Sequence, residues 1–150
     1  MKKLILAIPH SHTWFWLQTC VASLLRHPPR ADGVECEIVV VDNSPWSPAI
    51  RGLTDTTLAD GFDAQGVTLT VTDNPKSNKF HASALDSIVD RCEFDYLMAW
   101  ETDVLALRPS WLEWFLHQMQ RSSDFAVGMW HHEQFVNPSC TLYQIGRAHV

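Results

Sequence analysis

The sequence predicts an α/β fold, a doubly wound and mainly parallel sheet with helices on both faces. Short apolar runs rich in β-branched residues alternate along the chain with segments of helical spacing, which is the pattern of βαβ units. The first two of these runs end at Pro9 and Asp42, which mark the carboxyl ends of strands. The composition, 46% hydrophobic and 19% charged over 150 residues, is typical of one soluble globular domain.

The first half of the chain predicts one βαβ unit. Residues 4–8 form an apolar first strand. Apolar side chains then recur at helical spacing through residues 14–25, until the His-Pro-Pro segment at 27–29 ends the helix. The β-branched run at 37–41 predicts a second strand, which is closed by the polar segment 42–45.

The second half repeats this alternation of strands and helices. After a Gly- and Asp-rich stretch, residues 67–72 alternate as a third strand, and residues 82–89 predict a helix. The apolar run 96–100 predicts a buried fourth strand. Residues 110–120 predict a further helix, and residues 125–130 predict another strand.

Two carboxylates, Glu101 and Asp103, follow the fourth strand and are the strongest indication of function. In an extended strand they point to the same side while Thr102 points to the other. Open α/β sheets bind their ligands at this carboxyl edge. Mg²⁺ and Mn²⁺ are held by one or two carboxylates together with substrate phosphates. The pair therefore suits a nucleoside diphosphate bound with a metal, the alternative being two solvated acids at a strand end.

Charge and cysteine content limit the class of protein. The net charge of −6 and the absence of any Lys/Arg run argue against a nucleic-acid binder. The four cysteines are scattered without CxxC spacing, which indicates reduced thiols in a cytoplasmic protein. No apolar stretch approaches the roughly twenty residues of a transmembrane helix, although peripheral membrane association stays open. The apolar run after Met1 is read as the first strand and not as a signal peptide.

Histidines and tryptophans suggest further sites, for which the sequence gives weaker support. The segments His10-Ser11-His12 and His131-His132-Glu133 lack the spacing of a zinc site and are interpreted as loop histidines. His81 begins a helix and is assigned to packing or capping.

The tryptophans are read first as contributors to the hydrophobic core. This interpretation applies to Trp14, Trp16, Trp111 and Trp114, which lie in the predicted helices. Trp130 is considered as a platform for a sugar ring, with weaker support.

The last residues match a translated sequencing-library adapter. Residues 145–150, read as IGRAHV, correspond to the codons ATC GGA AGA GCA CAC GTC of such an adapter. We therefore interpret residues 144–150 as read-through and exclude them from the fold. On this interpretation residues 1–143 are the front part of a longer protein.

The order of these segments resembles the N-terminal, nucleotide-sugar-binding part of a family 2 glycosyltransferase of the Rossmann-like GT-A fold. The resemblance runs over nearly all of residues 1–143, although each motif is short. The matching segments are the strand ending at Pro9, the helix at 17–25, EIVVVDNS at 37–44, the loop and helix at 73–86, residues 100–104 at the position of the Asp-x-Asp motif, and 108–112.

The resemblance implies a metal site and a phosphate-facing loop. Asp103 would hold the divalent metal, Mn²⁺ or Mg²⁺, that bridges the donor diphosphate. Glu101 would face the ribose or contribute to the metal site, where the family more often has Asp. Lys76 and Lys79 would lie in a loop facing the site, either steering phosphate or simply solvated.

The resemblance also implies a pocket for the nucleobase. Asp42 would accept a hydrogen bond from the base, with Pro9 and His10 lining the same pocket and Ser44 close by. The alternative for Asp42 is an ordinary cap or Asx turn after a strand.

The implied reaction is inverting transfer of a sugar from a nucleoside-diphosphate donor to an unknown glycan, lipid or small-molecule acceptor. The general base would come from a later half of the protein, so the chain alone is expected to be inactive. Two alternatives stay open. A sugar nucleotidyltransferase is disfavoured because residues 9–12, PHSH, contain no glycine. A non-catalytic nucleotide- or sugar-binding module, or a receiver-like module, would use the same sheet without transfer.

Overall fold

The computed structural model describes residues 1–44, 57–76, 81–121, 126–132 and 135–144. Ten elements follow one another along the chain: β1 (Lys2–His10), α1 (Trp14–Arg26), β2 (Val34–Asp42), α2 (Thr57–Asp63), β3 (Val67–Asp73), α3 (His81–Val89), β4 (Tyr96–Trp100), α4 (Trp111–Arg121), β5 (Ala126–His132) and β6 (Phe135–Gln144). No helix in this described part combines the length and the apolar character needed to cross a bilayer.

The six strands form a single mixed sheet in the order β3-β2-β1-β4-β6-β5. Strands β3, β2, β1 and β4 are parallel neighbours, and β6 pairs antiparallel with both β4 and β5. The chain moves from β1 towards β2 and β3 on one side, then returns to place β4 on the other side of β1. The strand order therefore reverses between β1 and β4, which is where doubly wound sheets bind ligands.

Both faces of the sheet are covered, as the apolar central strands require. Alternate residues of β1 point to opposite faces of the sheet. Leu4, Leu6 and Ile8 belong to the larger core cluster. Ile5 and Ala7 belong to a smaller cluster on the other face. The larger cluster includes side chains from α1, α2 and α4, and the smaller cluster includes Ala84 and Ile88 from α3. The predicted doubly wound fold with helices on both faces is therefore confirmed.

Two described elements were not predicted from the sequence. Helix α2 interrupts the stretch assigned to a loop, and its Phe62 is fully buried. Gly61 permits its close approach to α1, because a Cβ at this position would lie 3.1 Å from Leu25 Cδ1. Strand β6 contains Asn137-Pro138-Ser139, a composition typical of turns, and irregularities interrupt its pairing with β5.

Some boundaries also differ from the prediction. The helix expected at 110–120 begins at Trp111, because Ser110 has a φ of 56° and is left-handed. Gln144, which was assigned to the excluded tail, pairs with Tyr96 as the last residue of β6. Lys79, Phe125, Glu133 and residues 145–150 lie outside the described residues.

Candidate functional site

A cavity of about 600 Å³ opens at the point where the strand order reverses. Its wall combines the segment after β1, the segment after β4, the start of α1 and the start of α3. The lining residues are Pro9, Ser11, Thr13, Trp16, His81, Glu101, Thr102 and Asp103. The structure thus brings Pro9, Glu101 and Asp103, three of the predicted site residues, to one cavity of the size typical of ligand sites.

The two carboxylates lie on a turn and not on the strand. Strand β4 ends at Trp100, and the Val104 N–H donates to the Glu101 carbonyl oxygen over 3.1 Å, which turns the chain. The expectation from strand alternation is therefore wrong: Thr102 lines the same cavity as Glu101 and Asp103. Both carboxylates therefore reach the cavity because the chain turns after β4, and not because side chains alternate along a strand.

Side chains of α1 hold this turn and the segment after it. The Cys20 thiol lies 3.9 Å from the Glu101 carbonyl oxygen, and the Ser23 hydroxyl accepts the Ala106 N–H over 3.0 Å. Burial raises the pKa of Cys20 to about 12, so its sulfur keeps the proton that it donates. The position of the acidic turn is thus determined by contacts with α1 that are distant in sequence.

The residues predicted for the base pocket form a buried cluster. Asp42 Oδ1 accepts the Ser44 N–H over 2.7 Å, and His10 Nδ1 lies 3.4 Å from the same oxygen. The Ser44 hydroxyl accepts the His12 N–H over 2.9 Å, which ties the segment after β1 to the end of β2. Asp42 is 5% exposed and makes the Asx-turn contact that was the alternative reading of this residue.

His10 is buried with one ring nitrogen unpaired. Burial lowers its pKa, an effect that the hydrogen bond and the charge of Asp42 partly oppose. The ring is therefore neutral near pH 7, and a proton on Nδ1 suits the contact with Asp42. Nε2 has no hydrogen-bond partner, and an unpaired buried polar atom is unfavourable.

A neutral polar network continues from this cluster to α3. Asn74 Nδ2 donates to Asn43 Oδ1 over 2.8 Å and to Ser83 Oγ over 3.0 Å. Lys76 forms an ion pair with Asp90, which directly follows the end of α3 remote from His81. The ammonium group of Lys76 is therefore directed away from the cavity.

Two cavity residues were given a different role by the sequence. His81 was assigned to packing or capping, but it lines the cavity, with Nδ1 3.8 Å from Glu101 Oε1. Trp16 was assigned to the core, but it is 50% exposed. The exposure of Trp16 could have been predicted, because Trp14 packs against the core. A residue two positions further along a helix is rotated by about 200° and therefore lies on the opposite side.

The other tryptophans assigned to the core also include both buried and exposed side chains. Trp111 is buried and Trp14 packs against the core, as expected, whereas Trp114 is 54% exposed. Trp130 and the two histidines that follow it lie in β5. Within the described ranges, no three His, Cys, Asp or Glu residues are grouped closely enough to hold a metal ion.

Three solved structures with a similar architecture are glycosyltransferases. The mannosyltransferase PcManGT from Pyrobaculum calidifontis, in complex with GDP-Man and Mn²⁺, matches with a TM-score of 0.73 and 12% identity, over 95% of this chain and 44% of that protein. TarS from S. aureus, residues 1–349, matches with a TM-score of 0.62 and 10% identity, over 96% of this chain and 47% of that one.

A third similar structure is glucosyl-3-phosphoglycerate synthase from Mycobacterium tuberculosis in complex with UDP. It matches with a TM-score of 0.61 and 12% identity, over 95% of this chain and 57% of that protein. The chain thus spans roughly half the length of these structures. No protein-family model and no curated protein matches the sequence. At these identities the likeness establishes the fold, which is the GT-A glycosyltransferase fold.

Proposed function

We propose that this chain binds a nucleoside-diphosphate sugar together with Mn²⁺ or Mg²⁺, as the donor-binding part of a family 2 glycosyltransferase. The observation that carries the proposal is the acidic turn, which presents Glu101 and Asp103 at a cavity where the strand order reverses. The GT-A fold supports it, because a cavity at this edge is the expected ligand site of such a sheet.

The donor set of the turn fits a hard divalent cation. Glu101 and Asp103 supply carboxylate oxygens at an open cavity, and a bound diphosphate would supply the remaining oxygen ligands. When bound there, the metal acts as a Lewis acid that stabilises the charge of the departing diphosphate. The contacts of α1 with this segment hold its backbone at Glu101 and Ala106, which reduces the backbone ordering that binding would require.

The nucleobase would bind at the cluster beside the cavity. Both described contacts of the Asp42 carboxylate use Oδ1, which leaves Oδ2 as the oxygen for an N–H group of the base. His10 holds the same carboxylate from the strand side, and Pro9 lines the cavity that begins next to it. The Asx turn and base recognition are then two roles of one carboxylate, not alternatives.

The complete enzyme would transfer the sugar with inversion, by a single displacement at the anomeric carbon. The acceptor hydroxyl then needs a general base near the cavity. We assign no residue of this chain to that role. The reduced cysteines fit a cytoplasmic protein acting on a glycan, lipid or small-molecule acceptor.

Calorimetry with GDP and UDP, each with and without Mn²⁺, tests the proposal. We expect one nucleotide to bind with Mn²⁺ and to bind much more weakly in excess EDTA. Asp103→Asn should weaken the Mn²⁺-supported binding by about 1.5–3 kcal/mol, roughly 10- to 150-fold in Kd, because a charged ligand is lost. Glu101→Gln should have the smaller effect.

The matched control is Glu93→Gln, which removes an exposed carboxylate between α3 and β4 without touching the cavity. This variant should bind as the wild type does. Equal Mn²⁺-supported binding by the wild type and Asp103→Asn, or equal binding in EDTA, would contradict the proposal.

A further inference from the structure

Trp16 presents a large aromatic surface to the cavity. It lies in the first turn of α1, whose buried side is formed by Leu17, Cys20, Val21 and Leu24. The Trp16 side chain is outside that buried side and is half exposed, at the wall that it shares with the acidic turn. Its indole is therefore available to a ligand in the cavity.

A neighbouring aromatic ring supports the indole. The rings of Phe15 and Trp16 pack edge to face, with centroids 5.5 Å apart and planes at 75°. Edge-to-face packing is a favourable arrangement of aromatic rings. Phe15 is itself 69% exposed, so this pair stands on the surface and not in the core. The contact reduces the freedom of the indole before any ligand binds.

Polar groups surround the indole on the rest of the wall. The hydroxyls of Thr13 and Thr102 lie 3.4 Å apart, and Glu101 and Asp103 provide carboxylates. A sugar ring has one face of C–H groups and an edge of hydroxyls. The C–H face is attracted to the negative face of an aromatic ring, while threonine hydroxyls can donate hydrogen bonds to sugar hydroxyls and accept them. The wall thus combines both features that a pyranose needs.

We propose that Trp16 is the residue on which the sugar of the nucleotide-sugar donor stacks. This inference rests on the proposed function and adds the residue that recognises the transferred group. The sugar is bonded directly to the diphosphate, which the metal at the acidic turn would hold, so we expect it in the same cavity. The base would bind instead at Asp42, which is almost fully buried beside the cavity.

The test compares a nucleotide with its sugar conjugate, because the ratio of their Kd values isolates the contribution of the sugar to binding. Calorimetry is run with Mn²⁺ for GDP against GDP-mannose and for UDP against UDP-GlcNAc. In Trp16→Ala, Kd for the preferred nucleotide sugar should rise by about two- to tenfold while Kd for the nucleotide stays constant. Trp16→Phe should retain most of the affinity.

The matched control is Trp114→Ala, which removes a tryptophan of similar exposure from α4, away from the cavity. It should change neither constant. Circular dichroism melts of the variants check that all of them fold.

The remaining outcomes are distinct. If Trp16→Ala weakens nucleotide and nucleotide sugar equally, the indole contacts the nucleotide, and the stacking proposal is wrong. If it changes neither, Trp16 does not contact the donor, and the stacking proposal is again wrong while the proposed function stands. If the wild type binds neither nucleotide with Mn²⁺, the proposed function fails, and the inference about Trp16 fails with it.

Discussion

At the scale of single residues, His10 shows how the site differs from an ordinary strand end. His10 is the last residue of β1, yet its side chain is 1% exposed and lies against Asp42. Nε2 of its neutral ring is buried without a hydrogen-bond partner. An unpaired buried polar atom of this kind costs about 1–3 kcal/mol in the free energy of unfolding. His10 therefore lowers the stability of the folded protein at this position.

We expect His10 to make the protein less stable in mild acid. Its pKa is lowered in the folded state, so below about pH 6.5, the ordinary value, the unfolded chain binds a proton that the folded protein does not. Stability must then fall as pH decreases through this range, by about 1.4 kcal/mol for each unit of pKa difference. Urea unfolding of the wild type and of His10→Gln, at several pH values from 7.5 to 5, measures this loss of stability.

The variant should lose less stability over this range than the wild type. His117→Gln, which removes an exposed histidine of α4, is the control and should follow the wild-type profile. Parallel profiles for wild type and His10→Gln would show that burial of His10 does not lower its pKa.

At the scale of elements, α1 does more than cover the sheet. Its inner side packs on β1, and its polar residues reach the segment that follows β4. Trp111 at the start of α4 also donates from Nε1 to the carbonyl of His27, just after α1, over 2.8 Å. This bond ties the start of α4 to the end of α1, just beyond the segment that carries the two acids.

Ser23→Ala should loosen this segment. The Ser23 hydroxyl donates to the Cys20 carbonyl and accepts the Ala106 N–H, and Ala106 is buried. Loss of the acceptor leaves a buried N–H unpaired, which should cost about 1–3 kcal/mol in the free energy of unfolding. Mn²⁺-supported nucleotide binding should weaken as well, because the turn loses part of its support.

Thr19→Ala on the same helix is the control. The Thr19 hydroxyl donates to the Phe15 carbonyl within α1 and does not reach the acidic turn. It should leave nucleotide binding unchanged. If both variants bind nucleotide as tightly as the wild type does, Ser23 has no part in positioning the acids.

At the scale of the whole molecule, β6 completes the sheet. It lies between β4 and β5, and its Leu142 pairs with Met98 and joins the larger core cluster. The antiparallel pair of β5 and β6 thus covers the side of β4 that a four-stranded parallel sheet would leave open. An uncovered strand edge would favour association with other chains.

Leu142→Ala should therefore destabilise the entire sheet. Leu142 is fully buried, and removal of a buried leucine side chain costs about 2–5 kcal/mol. Urea denaturation should show a single transition at lower urea. Val89→Ala at the end of α3, where the valine is 49% exposed, should cost far less. A loss below about 1 kcal/mol for Leu142→Ala would mean that β6 is not integral to the core.

Local sequence pattern was sufficient for most of the fold. The apolar runs at 4–8, 38–41 and 96–100 are buried on both faces, so their continuous hydrophobicity is visible without any knowledge of their neighbours. The polar ends of these strands predicted which edge of the sheet would carry a site. A cavity opens at that edge, and the role of its residues stays a prediction.

What the sequence by itself determined is the set of strands and helices and the edge where chemistry is expected, because these depend on periodicity over a few neighbouring residues. The tertiary structure alone decided the turn at Glu101, the burial of Asp42 with His10, the addition of β6, and the entry of His81 into the cavity wall. Each of these depends on contacts between residues far apart in the chain, such as those of Cys20 with Glu101 and of Met98 with Leu142. Local periodicity contains no information about such pairs.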